Sequence, residues 1–295
     1  MTTRQNPFTR ARSARREFLA VSGAAAVAMA VGSGALGGEP APVPPGVRRP
    51  PARRTFELGL ASYTLRKFPL DETLAMTRRV GLKHICLKSF HLPLEAKPAQ
   101  IAAAAAKVKA AGIVLYGCGV LSMNKEADVD QAFEYAKAAG MKTIVAAPKP
   151  ELLPFVDNKV REYDIQVAIH NHGPGDKVYP TPQSIYEKVC ELDKRIGLCI
   201  DIGHTLRIGA DPIASAEKYA DRLLDVHIKD VSAAGPQGQT VEVGRGILDI
   251  PGFLRTLVRI NYRGVVSFEH EKDESDPLAG LAESVGYVRG VLAVI

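Results

Sequence analysis

From Phe56 onward, short apolar or β-branched runs alternate with stretches in which apolar residues recur at helical spacing. The runs predict strands at 57–62 (ELGLAS), 84–88 (HICLK), 113–117 (IVLYG), 142–146 (KTIVA), 165–170 (IQVAIH), 197–201 (GLCID), 223–229 (LLDVHIK) and 264–269 (GVVSFE). Helical patterns fill the gaps at 71–80, 98–111, 129–139, 150–162, 182–194, 212–221, 250–260 and 275–292. Gly81, Gly112 and Gly140 stand where helices should end, just before a strand.

Strands that alternate with helices imply a parallel sheet. Eight such units in roughly 240 residues match a closed (β/α)8 TIM barrel of about 250 residues. The alternative, an open doubly wound sheet, would usually place a glycine-rich phosphate loop after its first strand. ASYTLRKFP contains no glycine there, so the closed barrel is the expected architecture.

Composition changes this picture only at the N-terminus. The 295 residues are 46% hydrophobic and 24% charged, with a net charge of +6. Residues 1–54 carry nine arginines against Glu17 and Glu39, a net of +7, which leaves 29 basic and 30 acidic residues in the remainder, a net of −1. A near-neutral body offers no general footprint for nucleic acid.

In SARREFLAVSGAAAVAMAVGSGALGG, Arg15 and Arg16 directly precede a small-residue apolar run, and the stretch resembles a twin-arginine export signal. The expected organisation is a signal segment at 1–38, a Pro/Arg-rich linker at 39–55 and the barrel at 56–295. Export to the periplasm or cell envelope follows, with membrane contact only through the signal segment if it is left uncleaved. Cys86, Cys118, Cys190 and Cys199 form no CxxC pair and lie in apolar segments, so buried free thiols are expected.

In a barrel of this kind, residues at and just after the carboxyl ends of the strands converge on one mouth. Those positions hold His170 and His172 after strand five, and Asp201 and His204 after strand six. They hold His227, Lys229 and Asp230 after strand seven, and Glu269, His270 and Glu271 after strand eight. Burying so many ionisable groups together costs several kcal/mol unless they are paired or bind metal. A divalent cation resolves that cost. Mixed nitrogen and oxygen donors without thiolate suit Mn²⁺, Zn²⁺, Co²⁺ or Fe²⁺, and suit Mg²⁺ less.

The segments IDIGH, VHIKD, VGRGILDIPGFL and VSFEHE resemble the xylose isomerase-like sugar isomerase/epimerase superfamily over about residues 56–292. The resemblance implies one divalent metal held by a Glu after strand five, an Asp after strand six, a His after strand seven and a Glu after strand eight. The last three fall on Asp201, His227 and Glu269, and the first falls on His170, where this chain departs from the pattern. An imidazole there still ligates and can move protons near neutrality, but the two-glutamate symmetry of the epimerases is gone.

The resemblance further implies that the metal chelates a carbonyl and an adjacent hydroxyl while Glu269 removes a proton to give an enediolate. Lys229 either neutralises the developing oxygen charge or is salt-bridged to Asp230 or Glu271. His204 either meets substrate or orients Asp201, and His172 lies in the same mouth. Arg245 and Glu242, before GILDIP, and Lys88 and His91, beyond strand two, are candidates for gripping sugar hydroxyls.

The expected activity is isomerisation or epimerisation of a keto sugar or related polyol. The alternative is a lyase or dehydratase acting on a 3-keto-glycoside or inosose with the same groups. An endonuclease IV-like activity is disfavoured by the neutral body and too few histidines for a multi-zinc site. A non-catalytic carbohydrate-binding barrel is disfavoured by the Asp201, His227 and Glu269 set.

Overall fold

Every expected strand forms in the computed structural model, which describes residues 55–295. The expected signal segment and almost all of the linker lie outside the described residues. The barrel strands are β1 (Glu57–Ala61), β2 (His84–Leu87), β3 (Val114–Met123), β4 (Thr143–Pro148), β5 (Gln166–His170), β6 (Ile196–Asp201), β7 (Leu223–Ile228) and β10 (Val265–Phe268). They close in the order β1-β10-β7-β6-β5-β4-β3-β2, every pair parallel. Closure excludes the open doubly wound alternative. A two-residue antiparallel ribbon, β8 (Asp230–Val231) with β9 (Thr240–Val241), sits in the loop after β7.

The surrounding helices are α1 (Leu70–Arg79), α2 (Pro98–Ala110), α3 (Glu126–Ala139), α4 (Leu153–Tyr163), α5 (Pro182–Val189), α6 (Ile202–Arg207), α7 (Pro212–Lys218), α8 (Ile250–Arg259) and α9 (Leu278–Leu292). Local chemistry sets their ends. Thr181 closes a capping box on α5, Asp211 caps α7 through the amides of Ile213 and Ala214, and Gly140 ends α3 in the left-handed region.

Side chains alternate across each strand, so β-strand residues split between two cores. The outward set packs against the helices: Leu60, Ile85, Ile144, Val167, Leu198 and Val226 are all buried there. The inward set includes a small cluster of Cys86, Tyr116, Val145, Ala168 and Cys199 that fills the barrel interior. The four cysteines are free thiols, and Cys190, beyond the end of α5, is only half-buried.

Two departures from the expected elements have local causes. β3 runs on to Met123 because Gly117 and Gly119, which interrupt its apolar pattern, are where β4 approaches closely. A Cβ on Gly119 would collide with the Val145 carbonyl, and its φ of +126° suits only glycine. The unexpected helix α6 begins because Asp201 ends β6 and accepts from the His204 amide at 2.8 Å.

Candidate active site

The inward alternation carries Ala168 to His170 on β5, Cys199 to Asp201 on β6, and Asp225 to His227 on β7. On β10 it carries Ser267 to Glu269, the residue just past the strand. Each of these four strands therefore ends its inner face in a side chain able to ligate a metal. His170, Asp201, His227 and Glu269 are all buried, and one potential ligand atom from each lies within 4.8 Å of the others.

Asp201 shows how the backbone aims these atoms. Its Oδ1 caps α6, and Asn171, between the two histidines of HNH, accepts from the Asp201 amide at 3.1 Å. Oδ2 is thereby turned inward, 3.5 Å from His170 Nε2 and 3.0 Å from Lys229 Nζ. His170 Nε2 lies 3.1 Å from His227 Nδ1, which in turn lies 3.2 Å from Glu269 Oε2.

Lys229 is the cation of the cluster. Fully buried, it reaches Asp201, Glu269 Oε2 at 3.1 Å and Glu271 Oε1 at 3.0 Å. Of the two salt-bridge partners expected for it, Glu271 is one. Asp230 instead accepts from the amides of Gly244, Gly246 and Leu248, fixing the loop that leads to GILDIP. Gly203 of IDIGH leaves the space through which the Lys229 stem runs, since a Cβ there would overlap Lys229 Cγ.

Charge counting gives a test of metal fit. Three carboxylates and one ammonium sum to −2 before the imidazoles are counted. Burial opposes charge on His227, but the Glu269 carboxylate beside it outweighs burial and raises its pKa. The site therefore favours positive charge, which a dication would supply in place of that proton. Asp201 Oδ2, fully buried, receives no hydrogen bond of good geometry. Two imidazole nitrogens and two carboxylates form a donor set for a borderline divalent ion, and the residues present fit one.

The electrostatics of the same groups are mutually adjusted. Burial pushes His170 down to about 3, which keeps it neutral and able to ligate. Burial opposes the charges of Asp201 and Glu269, but the Lys229 ammonium outweighs it and holds both carboxyls well below their ordinary range. For Lys229 burial is likewise outweighed, by Asp201, Glu269 and Glu271, and its ammonium is held. Beneath the cluster, Asp225 is raised to about 7 by burial, with the Tyr116 hydroxyl 3.2 Å away and Tyr116 bonded to Ser267 at 2.6 Å.

Above the cluster opens a cavity of about 210 Å³. It is lined by His170, His172, His204, Glu269 and Glu271 together with Tyr63, Lys88 and Val120. His172 also pairs with Asp176 at 3.2 Å. Glu271 was expected at the mouth, whereas Tyr63 and Val120 were not, although Tyr63 follows β1 by the same rule that found the histidines.

Other expected sugar-gripping residues lie elsewhere. His91 is corrected outright: its Nδ1 bonds Ser62 Oγ at 2.8 Å, and its Nε2 faces Thr73 Oγ1 and the carbonyls of Leu65 and Phe68. Both ring nitrogens are consumed in joining the β1 and β2 loops, and none is left for a sugar. Arg245 is exposed and paired with Glu283 of α9, and Glu242 is paired with Lys272 at 2.8 Å; neither lines the cavity. His270 is buried against Gly280 with neither ring nitrogen hydrogen-bonded.

Comparison with known proteins identifies the family and the fold. The chain is 28% identical to the rhizopine catabolism protein MocC of Rhizobium meliloti over 137 residues, 41% of this chain and 42% of that protein. It is also 28% identical to the inosose dehydratase of Geobacillus kaustophilus over 130 residues, 38% of this chain and 41% of that enzyme. The chain thus spans less than half the length of these curated relatives. The structure of 3-keto-D-glucoside 4-epimerase YcjR from E. coli superimposes with a TM-score of 0.66 at 16% identity, over 80% of this chain and 99% of that one. A family profile described as xylose isomerase-like TIM barrel matches residues 62–291, well over half of the sequence, and the chain belongs to that family.

Proposed function

We propose that the protein is a divalent-metal-dependent isomerase or epimerase that moves a proton at the carbon next to the carbonyl of a keto sugar or related polyol. The observation that carries this reading is the buried quartet of His170, Asp201, His227 and Glu269 directly beneath a polar cavity. The four would hold the ion, which when bound supplies Lewis-acid polarisation of a carbonyl.

The chain's own residues account for the rest. Glu269 lines the cavity and is the carboxylate placed to take the proton. Its Oε2 is held by His227 and Lys229, so the base is fixed before substrate arrives. The Lys229 ammonium stabilises negative charge that develops on a substrate oxygen beside it. His172, His204 and Lys88 offer donors and acceptors to the sugar hydroxyls. His170, where the resemblance implies a second metal-binding glutamate, breaks the equivalence of the two glutamates, which favours directional proton transfer.

Solution NMR in D₂O tests this. A substrate ketose should gain deuterium at one carbon, and Glu269→Gln should abolish the exchange. No exchange across a broad panel of ketoses and inososes would remove the proposal.

A second reading, elimination of water or an alcohol from an inosose or 3-keto-glycoside by the same groups, is supported by that loss of symmetry and by the inosose dehydratases among the relatives. It predicts release of a leaving group with an unsaturated keto product. We further propose export through the N-terminal twin-arginine segment, which fractionation of a cell carrying Arg15→Lys with Arg16→Lys would test.

A further inference from the structure

At about 210 Å³ the cavity is smaller than the roughly 300–1,000 Å³ of pockets that enclose drug-sized ligands, and its size suits one sugar ring. Its wall continues beyond the rim. Tyr63, which lines the cavity, is met by Phe90, which does not line it, with ring centroids 6.2 Å apart and planes tilted by 47°. Phe90 is 47% exposed, the most exposed aromatic ring among the described residues.

A single exposed apolar side chain is ordinary on a protein surface. Phe90 differs in how firmly it is held. Its ring stands edge-on to His91, with centroids 4.7 Å apart at 71°. His91 is the buried imidazole that bonds Ser62 Oγ and the Leu65 and Phe68 carbonyls, so the ring is carried on the cross-link between two loops.

Cations lie over the Tyr63 ring and leave the exposed Phe90 ring as the free aromatic surface beside them. Lys88 Nζ lies 5.2 Å from the Tyr63 ring centre and the Arg66 guanidinium 4.6 Å from it. A pyranose has the complementary shape, with C–H groups on its faces that pack on an aromatic ring and hydroxyls around its rim that accept from cations.

We infer that Phe90, seated on Tyr63 and His91, is a platform for a second sugar ring, so that the substrate class is a glycoside of a keto sugar. The reacting ring occupies the cavity and the other ring stacks on Phe90. This inference rests on the proposal that the cavity receives a sugar.

Titration calorimetry on the full chain loaded with Mn²⁺ compares D-fructose with its glucosides turanose, maltulose and isomaltulose. At least one glucoside should bind about five- to tenfold more tightly than D-fructose, the magnitude of one aromatic contact. Phe90→Ala should bring that ratio to within about twofold while leaving D-fructose binding intact, and Phe90→Tyr, which keeps the ring, should preserve it. Equal binding of free and glycosylated ketoses, a preference that survives Phe90→Ala, or no binding by any of the four sugars would overturn the platform. Deuterium exchange on the same samples separates this from the catalytic proposal: preference without exchange retains the platform and removes the isomerase, and exchange without preference does the reverse.

Discussion

Asp201 and His227 are register partners on the β6–β7 ladder. Two of the four candidate ligands therefore share one rung, and their separation is set by backbone hydrogen bonds between adjacent strands. A metal centre built on such a rung would be organised before any ion arrives.

Replacing His170 with alanine removes one of four donors from that arrangement. The purified variant should bind Mn²⁺ or Zn²⁺ at least about tenfold more weakly, read by elemental analysis after dialysis, with the fold intact by circular dichroism. Full metal retention would rule out ligation by His170, and a loss of deuterium exchange in that case would assign the residue to proton transfer.

Lys229→Met leaves Asp201, Glu269 and Glu271 without their shared ammonium. Breaking a buried pair in this way costs about 3–5 kcal/mol, so the metal-free variant should unfold at clearly lower urea. Divalent cation should then stabilise the variant more than the wild type, because it takes over the neutralisation of the carboxylates. Equal stabilisation of both proteins would count against a shared electrostatic role.

His91 gives a pH dependence with a definite sign. Burial lowers its pKa from 6.5, so the folded protein resists a proton that the unfolded chain accepts. Its contribution is complete above pH 6.5 and declines as the pH falls below that value. The stability difference between wild type and His91→Ala, measured by urea unfolding, should be largest above neutrality and shrink towards pH 5. A difference that grows on acidification would contradict the assignment.

Arg222 is buried and donates to the carbonyls of Asp193, Ile196, Cys190 and Leu192 at 2.5–3.0 Å. Arg222→Leu strands those acceptors beyond the end of α5 and should lower stability by roughly 3 kcal/mol. Lysine should recover only part of the loss, since a point charge cannot reach four carbonyls with two fixed nitrogens. Urea unfolding of the two variants measures both effects.

How much of this could be read from the sequence depended on whether backbone position or side-chain direction decided it. The eight strands were legible in the alternation of runs, and the strand-end positions of His170, Asp201, His227 and Glu269 put them at one mouth; the family resemblance, not spacing, singled out those four among the ionisable residues there. Side chains on loops were not legible. His91 lies beyond β2 as a substrate residue would, yet it turns towards Ser62, and Arg245 turns outward to Glu283. Lys229 had several carboxylates within sequence reach, and only the packed structure shows that Asp230 is spent on the 244–248 loop. β3 was read short because its glycines, needed for close approach to β4, look like a break in an apolar run.

The glycine of IDIGH carries no functional group, yet the Lys229 stem passes where its side chain would be. A methyl at Gly203 would displace the ammonium from Asp201 and Glu269 without touching a donor atom. In a screen for altered ion affinity, Gly203 should therefore score beside the four candidate ligands, as an empty space that tunes the charge of its neighbours.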